Sequence, residues 1–168
     1  MNVDDSGYIT IPKNKQLQSA YSDVVNMLVH HLNEVFHSQI HSIYLYGSVA
    51  NGNAVLGESD LDVTVIFNIP IDPLVTKNLS NIQSVVCSKY IKISKIDFDC
   101  ASLEEALSPS NNLSWGYWLK HHCICIFGYN LSQDIKRFKP SLELAIAING
   151  DFSDVIHQLE ITDRKSVV

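Results

Sequence analysis

The sequence has no apolar run near the ~20 residues that a membrane-spanning helix needs. Its start, Met1-Asn-Val-Asp-Asp-Ser, lacks the basic and apolar regions of a secretory leader. Both absences point to a cytoplasmic protein with no membrane partner. There is no Cys-x-x-Cys pair: Cys87, Cys100, Cys123 and Cys125 sit singly among apolar neighbours, as buried thiols do. The alternation Cys123-Ile-Cys-Ile-Phe127 reads as a buried strand rather than a pair of metal ligands. A basic stripe is also missing. The formal net charge of −6 counts against a nonspecific nucleic-acid binder, which would neutralise phosphates with Lys and Arg. Acidity leaves a nucleotide possible, because metal ions supply positive charge. No Gly-Lys-Ser/Thr follows the glycines, so the chain carries no P-loop, and no internal repeat or low-complexity segment is present.

What is there reads as a globular chain: 168 residues with 46% hydrophobic content suffice for one compact domain, or for a small domain plus part of another. From about Lys15 to Phe36, Leu17, Tyr21, Val24, Val25, Leu28, Leu32, Val35 and Phe36 recur at helical spacing. His30 and His31 are adjacent on that helix and therefore diverge. Asp72-Pro73 reads as an N-cap with proline in the first turn, opening a helix towards Ser88. Tyr90 to Ala101 alternates as a half-buried strand, but the apolar parity breaks near Ser94-Lys95, where a bulge is expected. Ser102-Leu-Glu-Glu105 fits a capping box before a short helix that Pro109 ends. Leu113 to His122 predicts another helix and Cys123 to Phe127 a strand. A further helical pattern begins at Lys139-Pro140 and takes in Leu142, Leu144, Ala145, Ile148, Phe152, Val155, Ile156 and Leu159.

The most informative stretch is Tyr46-Gly-Ser-Val-Ala-Asn-Gly-Asn-Ala-Val-Leu-Gly-Glu-Ser-Asp-Leu-Asp62. An apolar strand breaks at Gly47-Ser48, passes through a glycine-containing loop and returns as a strand opened by two aspartates. Side chains two apart in a strand share a face, so Asp60 and Asp62 lie opposite Leu61, Val63 and Val65. Neighbouring carboxylates repel each other, and a hard divalent cation with oxygen ligands, such as Mg2+, is the usual reason to hold them together. Gly47 allows close backbone approach, and the turn leaves N–H groups beside the Ser48 hydroxyl, a cradle for phosphate oxygens.

Gly47-Ser48, Ala50, Gly52, Ser59-Asp60-Leu61-Asp62 and Val65 resemble the nucleotidyltransferase signature of the DNA polymerase β superfamily, in its aminoglycoside and minimal nucleotidyltransferase types. The resemblance covers about Tyr44 to Phe67. It implies an α/β fold in the broad, α+β sense, with a mixed β-sheet, flanking helices and the start of a C-terminal helical region. The expected division is a catalytic domain at 1–138 and the beginning of a helical domain at 139–168.

The resemblance also implies a third carboxylate on the strand after the next helix. Asp97 and Asp99 both qualify; the local context favours Asp97 and leaves Asp99 as the alternative. The implied site is Asp60, Asp62 and Asp97 as catalytic and metal-holding residues for two Mg2+ ions, with Gly47, Ser48 and Ser59 on the nucleotide. The implied activity is transfer of a nucleoside monophosphate, AMP from ATP or another NTP, to a hydroxyl. The acceptor is a small molecule of the aminoglycoside kind. The alternatives are a partner protein, as in toxin–antitoxin pairs, or an idle nucleotide-binding module.

Two features depart from the pattern. Glu58 stands where many members carry a basic or neutral residue, and the loop from Gly52 to Ser59 has no Arg or Lys, leaving Lys92 and Lys95 as candidate cations beside the more ordinary role of a solvated strand edge. The last six residues, Asp163-Arg-Lys-Ser-Val-Val168, break the apolar period and resemble the in-frame translation of a common short-read sequencing adapter. A truncated gene fragment is the resulting expectation.

Overall fold

A computed structural model describes residues 2–12, 16–91 and 93–149. Two compact units divide the chain, Ile11–Lys136 and a smaller one within Met1–Thr10 and Arg137–Val168. The larger unit runs α1 (Ser22–Phe36), β1 (Ile40–Leu45), α2 (Gly47–Asn51), β2 (Leu61–Phe67), α3 (Pro73–Lys89), β3 (Ile96–Ser102), α4 (Leu103–Leu107), α5 (Tyr117–His121) and β4 (Ile124–Gly128). The four strands form one mixed sheet in the order β3-β2-β1-β4. β1 is antiparallel to β2 and to β4, whereas β2 and β3 are parallel. A parallel pair needs a long crossover, and α3 supplies it.

Strand alternation sorts side chains onto two faces. Ile43 and Leu45, with Leu61, Val63, Val65, Phe67 and Ile96, join Val24, Val25, Leu28, Leu32 and Phe36 of α1 and Val75, Leu79, Ile82 and Val86 of α3 in the main core. The other face carries Tyr44, Ile66 and Ala101, packed with Leu119, Cys123 and Leu131. The cysteines follow the same alternation: Cys123 and Cys125 pack on this second face while Ile124 and Ile126 pack on the first.

The helix signals act as their chemistry dictates. The Asp72 carboxylate accepts from the Val75 amide at 2.8 Å, with Pro73 in the first turn of α3. Ser102 Oγ accepts from the Glu105 amide at 3.1 Å at the start of α4. α1 is preceded by a 3-10 turn at Ser19–Tyr21, so the expected helix starts later than Lys15. His30 and His31 diverge less than adjacency suggests, because a nitrogen of each ring lies 3.4 and 3.5 Å from the same Glu34 oxygen. The expected helix from Leu113 to His122 begins as a π-helical turn, Asn112–Gly116, before α5.

The expected bulge in the third strand is replaced by a boundary: β3 starts only at Ile96. Ahead of it Ile91 is 91% exposed, although its alternation with lysines in the sequence imitates a strand.

In the smaller unit, the Ile9 amide donates to the Phe138 carbonyl at 2.8 Å. Arg137 pairs with Asp4 and lies over the Tyr8 ring, 4.6 Å from its centroid. A helix covers 142–149; the expected helical positions Phe152, Val155, Ile156 and Leu159 lie outside the described residues, as does Lys92. Among the described residues no helix is long and apolar enough to cross a membrane.

Because Asp72 caps the helix that carries the crossover, Asp72→Ala should cost about 1 kcal/mol. Urea denaturation followed by far-UV circular dichroism should show the midpoint falling with an unchanged slope.

Candidate active site

The site lies where β1 ends and the parallel strands β2 and β3 begin. In their register Asp62 stands beside Asp97 and Thr64 beside Asp99. Neighbouring strands are about 4.8 Å apart and residues in register share a face. Asp62, Asp97 and Asp99 therefore project from the same side of the sheet, opposite Leu61, Ile96, Phe98 and Cys100, and Asp60, just before β2, shares the Lys95 ammonium with Asp97.

Burial raises the Asp62 carboxyl above its ordinary range, and the charges of Asp97, Asp60 and Asp99 raise it further; Lys95 offsets part of this. Ionising the group therefore carries a cost that a nearby cation would offset.

Gly47 is essential to this packing. Its φ is +65°, a conformation that side-chain-bearing residues rarely adopt, and a Cβ there would overlap the Asp62 carboxylate. The Tyr46 amide donates to the Asp62 carbonyl at 3.2 Å, which holds the two strand ends together. Ser48 is half-buried in the first turn of α2, and its carbonyl accepts from Asn53 at 3.1 Å.

The loop between α2 and β2 is tied at both ends. The Gln18 side chain clamps Ala54, accepting from its amide at 3.0 Å and donating to its carbonyl at 3.3 Å. Ser59 Oγ accepts from the Val55 amide at 2.9 Å, so this expected nucleotide ligand also closes the loop. Glu58 is exposed to solvent.

Lys95, one of the two candidate cations, meets the carboxylates: its ammonium lies 2.8 Å from Asp97 Oδ2 and 3.4 Å from Asp60 Oδ2. Its parity with Asp97, two residues on, was the available signal. Ser94 Oγ donates to Asp60 Oδ1. Burial first, and then the nearby carboxylates of Asp99, Asp62 and Asp97, raise the Tyr46 phenol above its ordinary range. The Tyr46 ring meets Trp118 edge-on at 4.7 Å, and Trp118 Nε1 donates to Thr64 Oγ1 at 3.2 Å.

The donor set fits a hard divalent cation. Carboxylate oxygens dominate it, and a cation, the Lys95 ammonium, already bridges two of them. Among the described residues no three His, Cys, Asp or Glu side chains are gathered closely enough to hold a metal ion as they stand.

A family model for the nucleotidyltransferase domain matches residues 31–117, more than half of the chain. The chain belongs to the nucleotidyltransferase domain family, of DNA polymerase β-like type. No curated protein matches the sequence. Among solved structures, the spectinomycin adenyltransferase AAD(9) from Enterococcus, solved with ATP and spectinomycin, is similar with a TM-score of 0.55 at 14% identity, over 80% of this chain and 67% of that one. A toxin–antitoxin structure with AMP-PNP gives 0.42 at 14% identity, over 85% of this chain and 98% of that one. The tri-AMPylated HEPN toxin with its MNT antitoxin from Shewanella oneidensis gives 0.39 at 14% identity, over 86% and 97%. At such identity the first likeness is one of fold, and the other two are too distant in shape to argue from.

A carboxyl raised in the folded state destabilises the fold once it ionises, so stability is lost as pH rises through that raised value. Asp62→Asn removes this cost. The metal-free protein at neutral pH should then melt about 1–3 °C higher, a small figure because solvent screens a half-exposed group. Calorimetry showing a lower midpoint would contradict the electrostatic account.

Proposed function

We propose that this chain is a Mg2+-dependent nucleotidyltransferase that transfers AMP from ATP to a hydroxyl of a small, aminoglycoside-like acceptor. The observation that carries the reading is the parallel register that sets Asp62 beside Asp97, with Asp60 adjacent. A binding scaffold has no use for carboxylates held against their own repulsion. The small-molecule acceptor is preferred because the likeness with a TM-score of 0.55 is to an enzyme solved with spectinomycin.

In this reading Asp60, Asp62 and Asp97 would hold two Mg2+ ions, whose charge would neutralise the triphosphate and stabilise the entering and leaving oxygens. Gly47 and Ser48 hold the β and γ phosphates through the turn's N–H groups and the hydroxyl, and Ser59 fixes the loop beside them. Asp97 takes the proton of the acceptor hydroxyl. The hydroxyl oxygen bonds to the α phosphorus as the bond to pyrophosphate breaks, and no covalent protein intermediate forms. Asp97 is preferred to Asp99 because it adjoins Asp62 in register, whereas Asp99 adjoins Thr64. Positioning and electrostatics supply most of the rate.

Residues 1–138 would form the catalytic part, and 139–168 would begin a helical region that helps to hold the acceptor. A cytoplasmic location, where ATP and Mg2+ are plentiful, belongs to the same reading.

Thermal melts with ATP, GTP, CTP and UTP, each with and without Mg2+, test the nucleotide site. A nucleotide at a hundred times its dissociation constant should add about 2.7 kcal/mol. Mass spectrometry of aminoglycosides incubated with the chain and ATP should show a gained AMP, reduced on the order of 10²–10³-fold or more in Asp60→Asn and Asp62→Asn. A folded sample with neither a Mg2+-dependent shift nor an adduct would overturn the proposal; AMP on a co-purified protein would move the acceptor to that class.

A further inference from the structure

The two cations that this site can hold claim the same oxygens. Asp60 is engaged on both sides, by Ser94 Oγ at Oδ1 and by the Lys95 ammonium at Oδ2. The same ammonium takes Asp97 Oδ2 at 2.8 Å. It thus spans from the carboxylate before β2 to the carboxylate one strand over. The Lys95 backbone is fixed, since its carbonyl accepts from the Leu61 amide at 2.9 Å and the Ser94 amide donates to the Ser59 carbonyl at 3.2 Å. The side chain is not buried: it is 52% exposed. An anchored backbone with a half-exposed side chain lets the ammonium swing into water while the strands stay in place.

We infer that Lys95 is a built-in counter-cation that holds Asp60 and Asp97 together before metal arrives and must leave their shared position when a divalent ion binds. Mg2+ sits about 2.0–2.1 Å from its oxygens. An ion bound between Asp60 and Asp97 would lie beside the ammonium, and the two positive charges would repel. Lys95 therefore competes with the metal for these carboxylates. It lowers affinity for a bare ion and keeps the paired strand ends from repelling each other in the metal-free protein. Lys95 is in this sense a positioning residue. The inference rests on the proposed use of Asp60 and Asp97 as metal ligands.

The test is Mn2+ titration of the full chain without nucleotide, read by the electron paramagnetic resonance signal of free Mn2+. Lys95→Met should bind Mn2+ about three- to tenfold more tightly than the natural chain, the range set by losing two half-exposed ion pairs. Lys95→Arg, which keeps the charge, should not tighten binding. Calorimetry gives a second readout: metal-free Lys95→Met should melt lower than the natural chain, and Mn2+ should raise its midpoint further.

Equal or weaker Mn2+ binding by Lys95→Met, or no saturable binding by either protein, would overturn the inference. AMP transfer is measured separately, on the acceptor. Transfer with unchanged Mn2+ affinity in Lys95→Met would defeat the counter-cation role alone, and tightened Mn2+ binding without transfer to any acceptor would support that role while defeating only the transfer reading.

Discussion

Repulsion between carboxylates on two parallel strands is the constraint on which the rest of this structure depends. Asp62 and Asp97 stand in register, Asp60 and Asp99 flank them, and the one ammonium that pairs with this group among the described residues belongs to Lys95. Four carboxylates against one ammonium leave a surplus of negative charge that packing alone does not relieve. The main core accepts the strain because it lies on the other face of the sheet. Leu61, Val63 and Ile96 are buried between the strands and the helices α1 and α3, and they fix the register whatever the carboxylates prefer.

Gly47 shows how closely the turn and the strand are fitted. The sequence suggests a glycine that lets backbone approach a ligand. The structure gives it a nearer task, since the missing Cβ leaves room for the Asp62 carboxylate. The two roles are compatible. A side chain at 47 would move Asp62 before any nucleotide arrived, so the glycine and the second aspartate of the motif act as one unit although they are far apart in sequence.

Period-two alternation made the carboxylate face legible, because Asp60 and Asp62, and Asp97 and Asp99, fall on one parity whatever their partners. The caps at Asp72 and Ser102 were legible for a similar reason, being local and needing only three residues of context. Pairing was not legible. That β2 and β3 run parallel and bring Asp62 beside Asp97 depends on the whole crossover. The roles of Lys95 and Tyr46 depend on that pairing in turn. The start of β3 was misplaced because Tyr90-Ile-Lys-Ile alternates like a strand, and alternation is silent about whether a neighbour exists. Ile91, almost fully exposed, has the pattern without the partner.

Charge also shapes what the proposed reaction asks of its substrates. The chain is acidic overall, and the loop beside the proposed phosphate site brings no Lys or Arg of its own. A bare triphosphate would meet repulsion from Asp60, Asp62 and Asp97 as well as from the wider surface field. A triphosphate that arrives with divalent ions meets ligands instead. An amine-rich acceptor would gain from the same field that disfavours the free nucleotide. On the proposed reading, acidity is what pairs a metal-complexed nucleotide with a cationic acceptor at one site, and Lys95 offsets part of the carboxylate charge while neither is present.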